Sequence, residues 1–194
     1  MNIADLRKPL SVDEIEFRVQ SVNAWGKCTI LAYKDARADM NRLDDVMGAL
    51  NWKREHSNGN ANCTVSLWND DTKQWVSKED TGSESMAEAK KGLASDSFKR
   101  ACFNIGIGRE LYDYPVIQIE LKGDGKGADA TKWTDEWKST GQGKATATWA
   151  LKLKEWKWHT IFNDAGKLVY LGGKDTNGVM RFTYDIRKKQ EKKK

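Results

Sequence analysis

The chain has 194 residues, 39% of them hydrophobic, which predicts one domain with an ordinary core, or one domain with a small appendage. The formal net charge of +5 comes from the last eight residues, which hold six basic side chains and one acidic one and leave 27 of each sign elsewhere. A broadly basic surface is therefore excluded, and we expect any nucleic-acid site to be a local groove.

Cysteine spacing and hydropathy predict where the protein works. Cys28, Cys63 and Cys102 lie far apart and form no CxxC pair, which argues against a zinc ribbon or a disulfide framework and for a reducing compartment. The N-terminal segment lacks a hydrophobic signal core, and no apolar run approaches membrane-spanning length. We expect a cytoplasmic protein that makes no membrane contact.

The first third of the chain predicts two strands, a helix and then a strand meander. Alternating residues at 15–20 indicate a half-buried strand, and 27–33 can return beside it. The apolar spacing over 35–50 predicts a helix. Further strands are expected at 51–56, 63–68 and 73–79, with a hairpin turn at 57–60, Ser-Asn-Gly-Asn.

A long amphipathic helix is predicted to begin near Ser85, where Glu88 completes a capping box. Gly106 is suited to end it, because glycine adopts a left-handed backbone without steric penalty. The helix carries two basic pairs, Lys90-Lys91 and Lys99-Arg100. Lys91 and Lys99 are about 80° apart around the axis, so they can present charge on one side.

The remainder of the chain completes the predicted organisation. We expect a core domain over 1–121 that ends in a short strand, a glycine-rich flexible loop over 122–148, a small β-hairpin appendage over 149–186 and a disordered basic tail over 187–194. Because strands are grouped rather than alternating with helices, the fold class is α+β, with an antiparallel sheet packed on the long helix.

No assembled catalytic site is recognisable. The GDGKG segment at 123–127 lacks P-loop spacing, and His56 and His159 have no partner at metal or triad spacing. Acidic pairs at 44–45 and 70–71 could hold a metal for nuclease chemistry, although solvated acids are the favoured interpretation. We therefore expect a non-enzymatic protein without cofactor or metal.

Tryptophans are abundant, with nine in the chain, and several lie among lysines. Aromatic rings between cations can stack the bases of single strands, and Trp52, Trp156 and Trp158 are the candidates. Trp156 and Trp158 would share a face of a strand. Core or oligomer-interface packing is the alternative, and the favoured one.

Two segments carry motifs that occur together in this order. The first is RADMNRLDDVMG at 37–48, followed by Asn51-Trp52. The second comprises KK at 90–91, ASDSFKRA at 94–101, GIGR at 106–109 and Leu111-Tyr112. Together they resemble the Rad-fifty-two-like single-strand annealing superfamily, and its phage members of the Sak type in particular. The resemblance covers about residues 15–115, and the C-terminal third lies outside it.

The resemblance implies subunits side by side in a ring or open helix, with single-stranded DNA in a basic groove and annealing without ATP. It implies that Lys99 and Arg100 face the groove and that Lys90 and Lys91 are further basic positions of the same helix. Arg37 is the candidate for an additional groove arginine and Arg42 its alternative. Arg109, within the second motif, is also a candidate DNA contact. Phe103 and Ala49 depart from the family pattern.

Recombination and repair by single-strand annealing is thus the leading hypothesis, in a homo-oligomer. An exonuclease or a host single-strand-binding protein is the expected protein partner, and a phage origin would place the protein in the bacterial cytoplasm. A passive single-strand-binding protein would instead slow pairing. A metal-dependent nuclease would cleave DNA, and a purely structural oligomer would show no affinity for nucleic acid at moderate salt.

Overall fold

The structure, a computed structural model, describes residues 3–83, 89–126 and 135–187. Its helices and strands, in chain order, are β1 (Ile15–Asn23), β2 (Lys27–Lys34), α1 (Ala36–Met47), β3 (Trp52–Ser57), β4 (Asn62–Asn69), β5 (Gln74–Thr81), α2 (Ala89–Ile105), β6 (Ile117–Glu120), β7 (Trp137–Gly141), β8 (Lys144–Ala147), β9 (Lys157–Phe162), β10 (Leu168–Lys174) and β11 (Met180–Asp185). Every strand pairing described is antiparallel. The α+β class predicted from the sequence is confirmed.

The chain divides into two compact units. The first comprises Met1–Ile15 and Lys34–Tyr112, and the second comprises Glu16–Tyr33 and Asp113–Lys194. Strand β1 therefore belongs to the second unit except for its first residue. This division differs from the predicted boundary at residue 121, because the two N-terminal strands pair with β6 and β8, which follow the long helix in the chain.

The first unit packs helix α2 on a three-stranded sheet of order β3-β4-β5. Alternation along β4 turns Cys63 and Val65 inward, where both are fully buried. From α2, Phe98 and Ala101 are equally buried, at the helical spacing expected for one packed stripe. The turn between β3 and β4 is the predicted hairpin, with Asn58, Gly59 and Asn60 all at positive φ.

Helix α2 ends where the sequence predicts. Gly106 has a φ of +122°, and its N–H donates to the carbonyl of Cys102. The N–H of Ile107 donates to the same carbonyl, and these two hydrogen bonds terminate the helix at its last turn. The predicted capping residues Ser85 and Glu88 lie outside the described residues.

The second unit contains two sheets, one of order β6-β2-β1-β8-β7 and one of order β11-β10-β9. They share one hydrophobic core, to which β2 contributes Ile30, β6 contributes Ile117 and β10 contributes Leu171. Each of these side chains is almost completely buried. The C-terminal strands are therefore part of the core of this unit.

Two predictions about the C-terminal third are wrong. Residues 137–147 form β7 and β8 rather than part of a flexible loop, because β8 pairs with β1 over Val22 and Asn23, a partner distant in sequence. The segment predicted as a hairpin appendage forms a three-stranded sheet within the unit's core. The predicted loop residues 127–134 and tail residues 188–194 lie outside the described part of the chain.

Candidate nucleic-acid interface

Two predicted DNA contacts, Arg37 and Lys99, act on the same carboxylate. Asp35 is the N-cap of α1, and its side chain accepts a hydrogen bond of 2.7 Å from the N–H of Arg37. The Arg37 guanidinium reaches the same carboxylate with Nε at 3.0 Å and Nη2 at 3.2 Å. These hydrogen bonds lower the pKa of Asp35, and the charge of Lys99 lowers it further.

The two cations differ in exposure. The Arg37 side chain is 76% exposed, whereas Lys99 is half-buried beside α1. Among the described residues Lys99 forms no ion pair, although its charge also acts on the buried Asp39. We call the exposed region formed by Asp35, Arg37 and Lys99 the α1–α2 surface. It carries two positive charges against one negative charge, and it can attract a phosphate.

A buried ion pair fixes the helices beneath this surface. Lys34, at the end of β2, donates from Nζ to Asp39 in the first turn of α1 and to the carbonyl of Ile107 at 2.6 Å. Both charged side chains are fully buried. The pair thereby ties the start of α1 to the turn that follows α2. Because the tie is internal to the first unit, the relative positions of Arg37 and Lys99 are set by packed groups.

Arg100 is oriented differently from Lys99. Successive residues of a helix diverge by about 100°, so neighbours in sequence cannot share one narrow face. The charge of Lys99 acts on Asp35 at the N-terminal end of α1, whereas Arg100 reaches Asp80 of β5 with Nε at 3.3 Å. Asn104, one turn further, donates to the same Asp80 carboxylate at 3.1 Å. The structure therefore does not bring the predicted Lys99-Arg100 pair to one point.

Arg109 caps the C-terminal end of α2. Its guanidinium donates to the carbonyl of Phe103 from Nε at 3.0 Å and from Nη2 at 2.8 Å, and to that of Asn104 at 3.0 Å. These carbonyls belong to the last turn, where the helix lacks intrahelical donors and a cation is favourable. Arg109 is exposed, but most of its described hydrogen bonding serves the helix end.

Lys90 and Lys91 belong to the first turn of α2, but their side chains lie outside the described residues. Their predicted DNA contacts stay predictions.

Arg42, the alternative groove arginine, has a structural position. Its side chain is 13% exposed and lies 3.4 Å from the Glu14 carboxylate. Nη1 donates to the carbonyls of Lys8 at 2.7 Å and Asp5 at 3.3 Å. Arg42 thus attaches the N-terminal segment to α1, which does not support its assignment to a DNA groove.

Trp52 packs inside the first unit. Its ring stacks on the buried Phe98 of α2 with centroids 6.1 Å apart, and Nε1 donates to Asp44 at 2.7 Å. Arg54, two residues along β3 on the same face, places its guanidinium carbon 4.7 Å from the centre of the Phe98 ring. Sequence reasoning missed Arg54, although the alternation of β3 places it beside Trp52.

Trp156 and Trp158 lie in the second unit and are packing residues there. Trp156 is 6% exposed, and its Nε1 donates to the carbonyl of Leu151 at 3.0 Å. Trp158 stacks face to face on Phe17 with centroids 3.9 Å apart, and its other neighbours include Trp156 and the backbone of Gly173. These contacts cover the rings, so the structure does not support base stacking by either tryptophan.

Within the described ranges, no group of three or more His, Cys, Asp or Glu side chains is arranged to hold a metal ion. Of the acidic pairs noted in the sequence, Asp44 accepts from Trp52 and Asp70 accepts from the indole of Trp68. Across the described residues, no helix combines the length and apolarity that a membrane span requires.

Comparison with known proteins identifies one similarity. The chain is 32% identical over 122 residues to the single-stranded DNA-binding protein DdrA of Deinococcus radiodurans. The aligned region covers 59% of this chain and 58% of DdrA, so the chain spans a little over half the length of that relative. No family model matches the chain. Membership of the Rad-fifty-two-like superfamily stays a prediction from the motifs.

Proposed function

We propose that this protein binds single-stranded DNA at the α1–α2 surface and anneals complementary strands without ATP, in homologous recombination. The observation that carries the proposal is that the exposed Arg37 binds Asp35 while the charge of Lys99 acts on the same carboxylate from α2. Two cations from separate helices, positioned by a buried ion pair, would provide a compact phosphate-binding region within residues 1–186, where basic and acidic side chains are equal in number.

The similarity to DdrA supports the binding part of this proposal, because that protein is named for single-stranded DNA binding. The annealing part, the ring or helical homo-oligomer and the Rad-fifty-two-like membership rest on the motif resemblance. So does the recruitment of an exonuclease or a single-strand-binding protein. The cytoplasmic location is proposed from the cysteine spacing and hydropathy of the chain, and the non-catalytic role because no catalytic motif is recognisable in the sequence.

The mechanism follows from electrostatics and entropy. Arginine and lysine side chains neutralise phosphates and release condensed counterions, which gives salt-dependent affinity without base preference. Holding the backbone leaves the base edges accessible to a second strand. Ordering one strand before the encounter lowers the entropic barrier to alignment, and base pairing supplies the driving force. No nucleotide hydrolysis is needed for these steps.

The test is a strand-pairing assay with two complementary fluorescent oligonucleotides, without ATP or metal. We expect the protein to accelerate duplex formation above the spontaneous rate and to lose that effect at high salt. Slower pairing in the presence of binding would identify a passive single-strand-binding protein. Cleavage that requires magnesium or manganese would identify a nuclease, and absence of binding at moderate salt would reject the proposal entirely.

A matched pair of variants locates the surface. Replacing Arg37 and Lys99 together by alanine should abolish acceleration. Replacing Lys53 and Lys73 by alanine removes the same charge from the first unit and should leave activity unchanged, because Glu55 and Asp70 balance these lysines one to one, whereas the α1–α2 surface has one cation in excess. Equal losses from both variants would show that total charge, rather than the α1–α2 surface, governs binding. Mass photometry of the same samples measures the assembly.

A further inference from the structure

An exposed aromatic ring lies next to the α1–α2 surface. Tyr112 belongs to the short 3₁₀ turn Arg109–Asp113 and is 65% exposed. Its ring contacts that of Phe103 near the end of α2, with centroids 4.8 Å apart and planes inclined by 56°. Tyrosine rings are enriched at binding interfaces, so an exposed tyrosine held against another ring is a candidate binding element.

The Phe103 ring, which contacts Tyr112, is held in place by the buried Lys34. The Nζ of Lys34 lies 3.9 Å from the centre of the Phe103 ring, a cation–π contact. Lys34 is held by Asp39 and by the carbonyl of Ile107, and all three are internal to the first unit. Phe103 therefore has little freedom to move away from Tyr112.

The turn carrying Tyr112 is also well connected. The N–H of Leu111 donates to the carbonyl of Gly108 at 3.0 Å. The Glu110 carboxylate accepts from the N–H of Leu10 at 2.6 Å, and Arg109 binds the last carbonyls of α2. A ring presented by such a turn loses little conformational entropy when it binds a planar partner.

Phe103, one member of the aromatic pair with Tyr112, also lies near the cation Lys99. Lys99 and Phe103 are four residues apart on α2, which places their side chains about 5–6 Å apart on one face of a helix. Arg37 binds Asp35, and the charge of Lys99 acts on the same carboxylate. The order across the surface is thus Arg37, Lys99, Phe103 and Tyr112, from cations that suit phosphates to a ring that suits a base.

We propose that Tyr112 stacks on a base of the single strand whose phosphates lie on Arg37 and Lys99. This inference rests on the proposed function and adds a base contact to it. Stacking on an aromatic face is tolerant of sequence, because every base has a π-face. The strand would be held at its backbone and at one base, leaving neighbouring bases free to pair.

Another exposed ring of the first unit is less suited to this role. Trp75 is 42% exposed and lies beside Trp68 and Lys53. Lys53 is paired with Glu55, and the indole of Trp68 donates to Asp70, so carboxylates flank that ring pair. Because Lys53 and Lys73 balance these carboxylates, the region has no excess positive charge to hold a polyanion, which makes Trp75 a matched control for Tyr112.

The experiment compares two probes of equal length, an oligothymidylate and the corresponding abasic strand, by fluorescence anisotropy with the full chain. Tyr112→Ala should weaken oligothymidylate binding about 5- to 150-fold, the range measured when a stacking aromatic is truncated. It should leave abasic binding unchanged. Tyr112→Phe should restore oligothymidylate affinity, and Trp75→Ala should match the wild type on both probes. Lys99→Ala should weaken binding of both probes alike.

The outcomes separate the two proposals. If the wild type binds neither probe, the proposed function fails. If the wild type binds but Tyr112→Ala binds oligothymidylate equally well, the stacking inference alone fails. A loss that is the same on the abasic strand, or that Tyr112→Phe does not restore, also overturns it. A photocrosslink from 5-iodouracil in the oligonucleotide to Tyr112, mapped by mass spectrometry, would support it directly.

Discussion

Lys34 and Asp39 form an ion pair in which both side chains are almost completely buried. Burial raises the pKa of Asp39 to about 6 and lowers the pKa of Lys34, because each charge loses its hydration. Their mutual attraction opposes both shifts. The pair joins β2, α1 and the turn after α2, so it determines where α1 begins relative to the α2 face that carries Lys99 and Phe103.

Replacing Lys34 by methionine should destabilise the protein by about 3–5 kcal/mol, because the buried Asp39 carboxyl would lose its partner and would either stay charged in an apolar environment or have to take up a proton. The matched control is Lys53→Met, since Lys53 pairs with Glu55 at an exposed position. That change should alter the free energy of unfolding by no more than about 1 kcal/mol. Urea denaturation of both variants measures the difference, and equal losses would contradict a structural role for the buried pair.

Alanine at Gly108 should be more destabilising than alanine at Gly59. Both glycines have positive φ, +71° and +63°, so each substitution places a side chain in a backbone region that costs about 1–2 kcal/mol. An added Cβ at Gly108 would lie 2.9 Å from Cδ of Lys34, whereas nothing lies within 4 Å at Gly59. Crowding the buried lysine should add about 1–3 kcal/mol. Thermal unfolding of both variants tests this, and a smaller loss at Gly108 would contradict it.

Acid should weaken the second unit through Asp175. Its hydrogen bond from Lys122 lowers the pKa of Asp175 to about 2, below the ordinary value of 3.8. Since the folded pKa is depressed, the stabilisation is present above about pH 4 and is lost as the pH falls through about 2. Asp175→Asn retains an oxygen for the turn N–H groups of Asn177 and Val179 but removes the charge.

The stability difference between wild type and Asp175→Asn should therefore be full at pH 7 and shrink between pH 4 and pH 2. Denaturation at a series of pH values measures it. Asp164→Asn, in an exposed turn of the same unit, is the control. A difference for Asp175→Asn that does not change with pH would show that its carboxylate charge contributes nothing.

Arg37→Ala should weaken DNA binding, whereas Arg42→Ala should reduce the stability of the fold. Arg37 is exposed, so its loss should reduce affinity for single-stranded DNA with little change in stability. The negative slope of log affinity against log salt should become shallower by about 0.7. Arg42 binds carbonyls of the N-terminal segment, and its loss should destabilise the protein by about 1–3 kcal/mol. Salt titrations and urea denaturation decide between them. Loss of affinity in a fully stable Arg42→Ala protein would reverse the assignment.

Trp156→Ala should destabilise the second unit by about 3–5 kcal/mol, because a large buried ring is replaced by a cavity. Trp25→Ala, at a position 86% exposed in the same unit, should change stability by less than about 0.5 kcal/mol. Differential scanning calorimetry compares the two. A stable Trp156→Ala protein with weakened DNA binding would contradict the packing role and support base stacking by Trp156.

Sequence patterns predicted the elements of the first unit because those elements depend on local periods and turns. Apolar spacing marked α1 and α2, alternation marked β4, and the Asn-Gly turn marked the β3–β4 hairpin. The prediction was wrong for β7 and β8, which are only five and four residues long. Their stability comes from pairing with each other and with β1, and no local period records such partners.

The candidate site was predicted only in part. Helical spacing placed Lys99 on a non-core side of α2, but it did not distinguish Arg37 from Arg42, since both belong to one helix. Arg42 is withdrawn by carbonyls 34 and 37 residues away in sequence. Tyr112 follows a glycine turn and belongs to no periodic stripe, so its exposure could not be predicted.

The sequence by itself determined the α+β class, the end of α2 at Gly106 and the presence of paired cations on that helix, because each depends on backbone preferences within a few residues. Only the tertiary structure determined which basic side chains from different elements act on the same carboxylate and which aromatic rings are exposed. Lys34 reaches Ile107 across 73 residues of chain, and the charge of Lys99 acts on Asp35 across 64. Such contacts form when packed elements bring distant groups together, and only then do they determine which charges remain available to DNA.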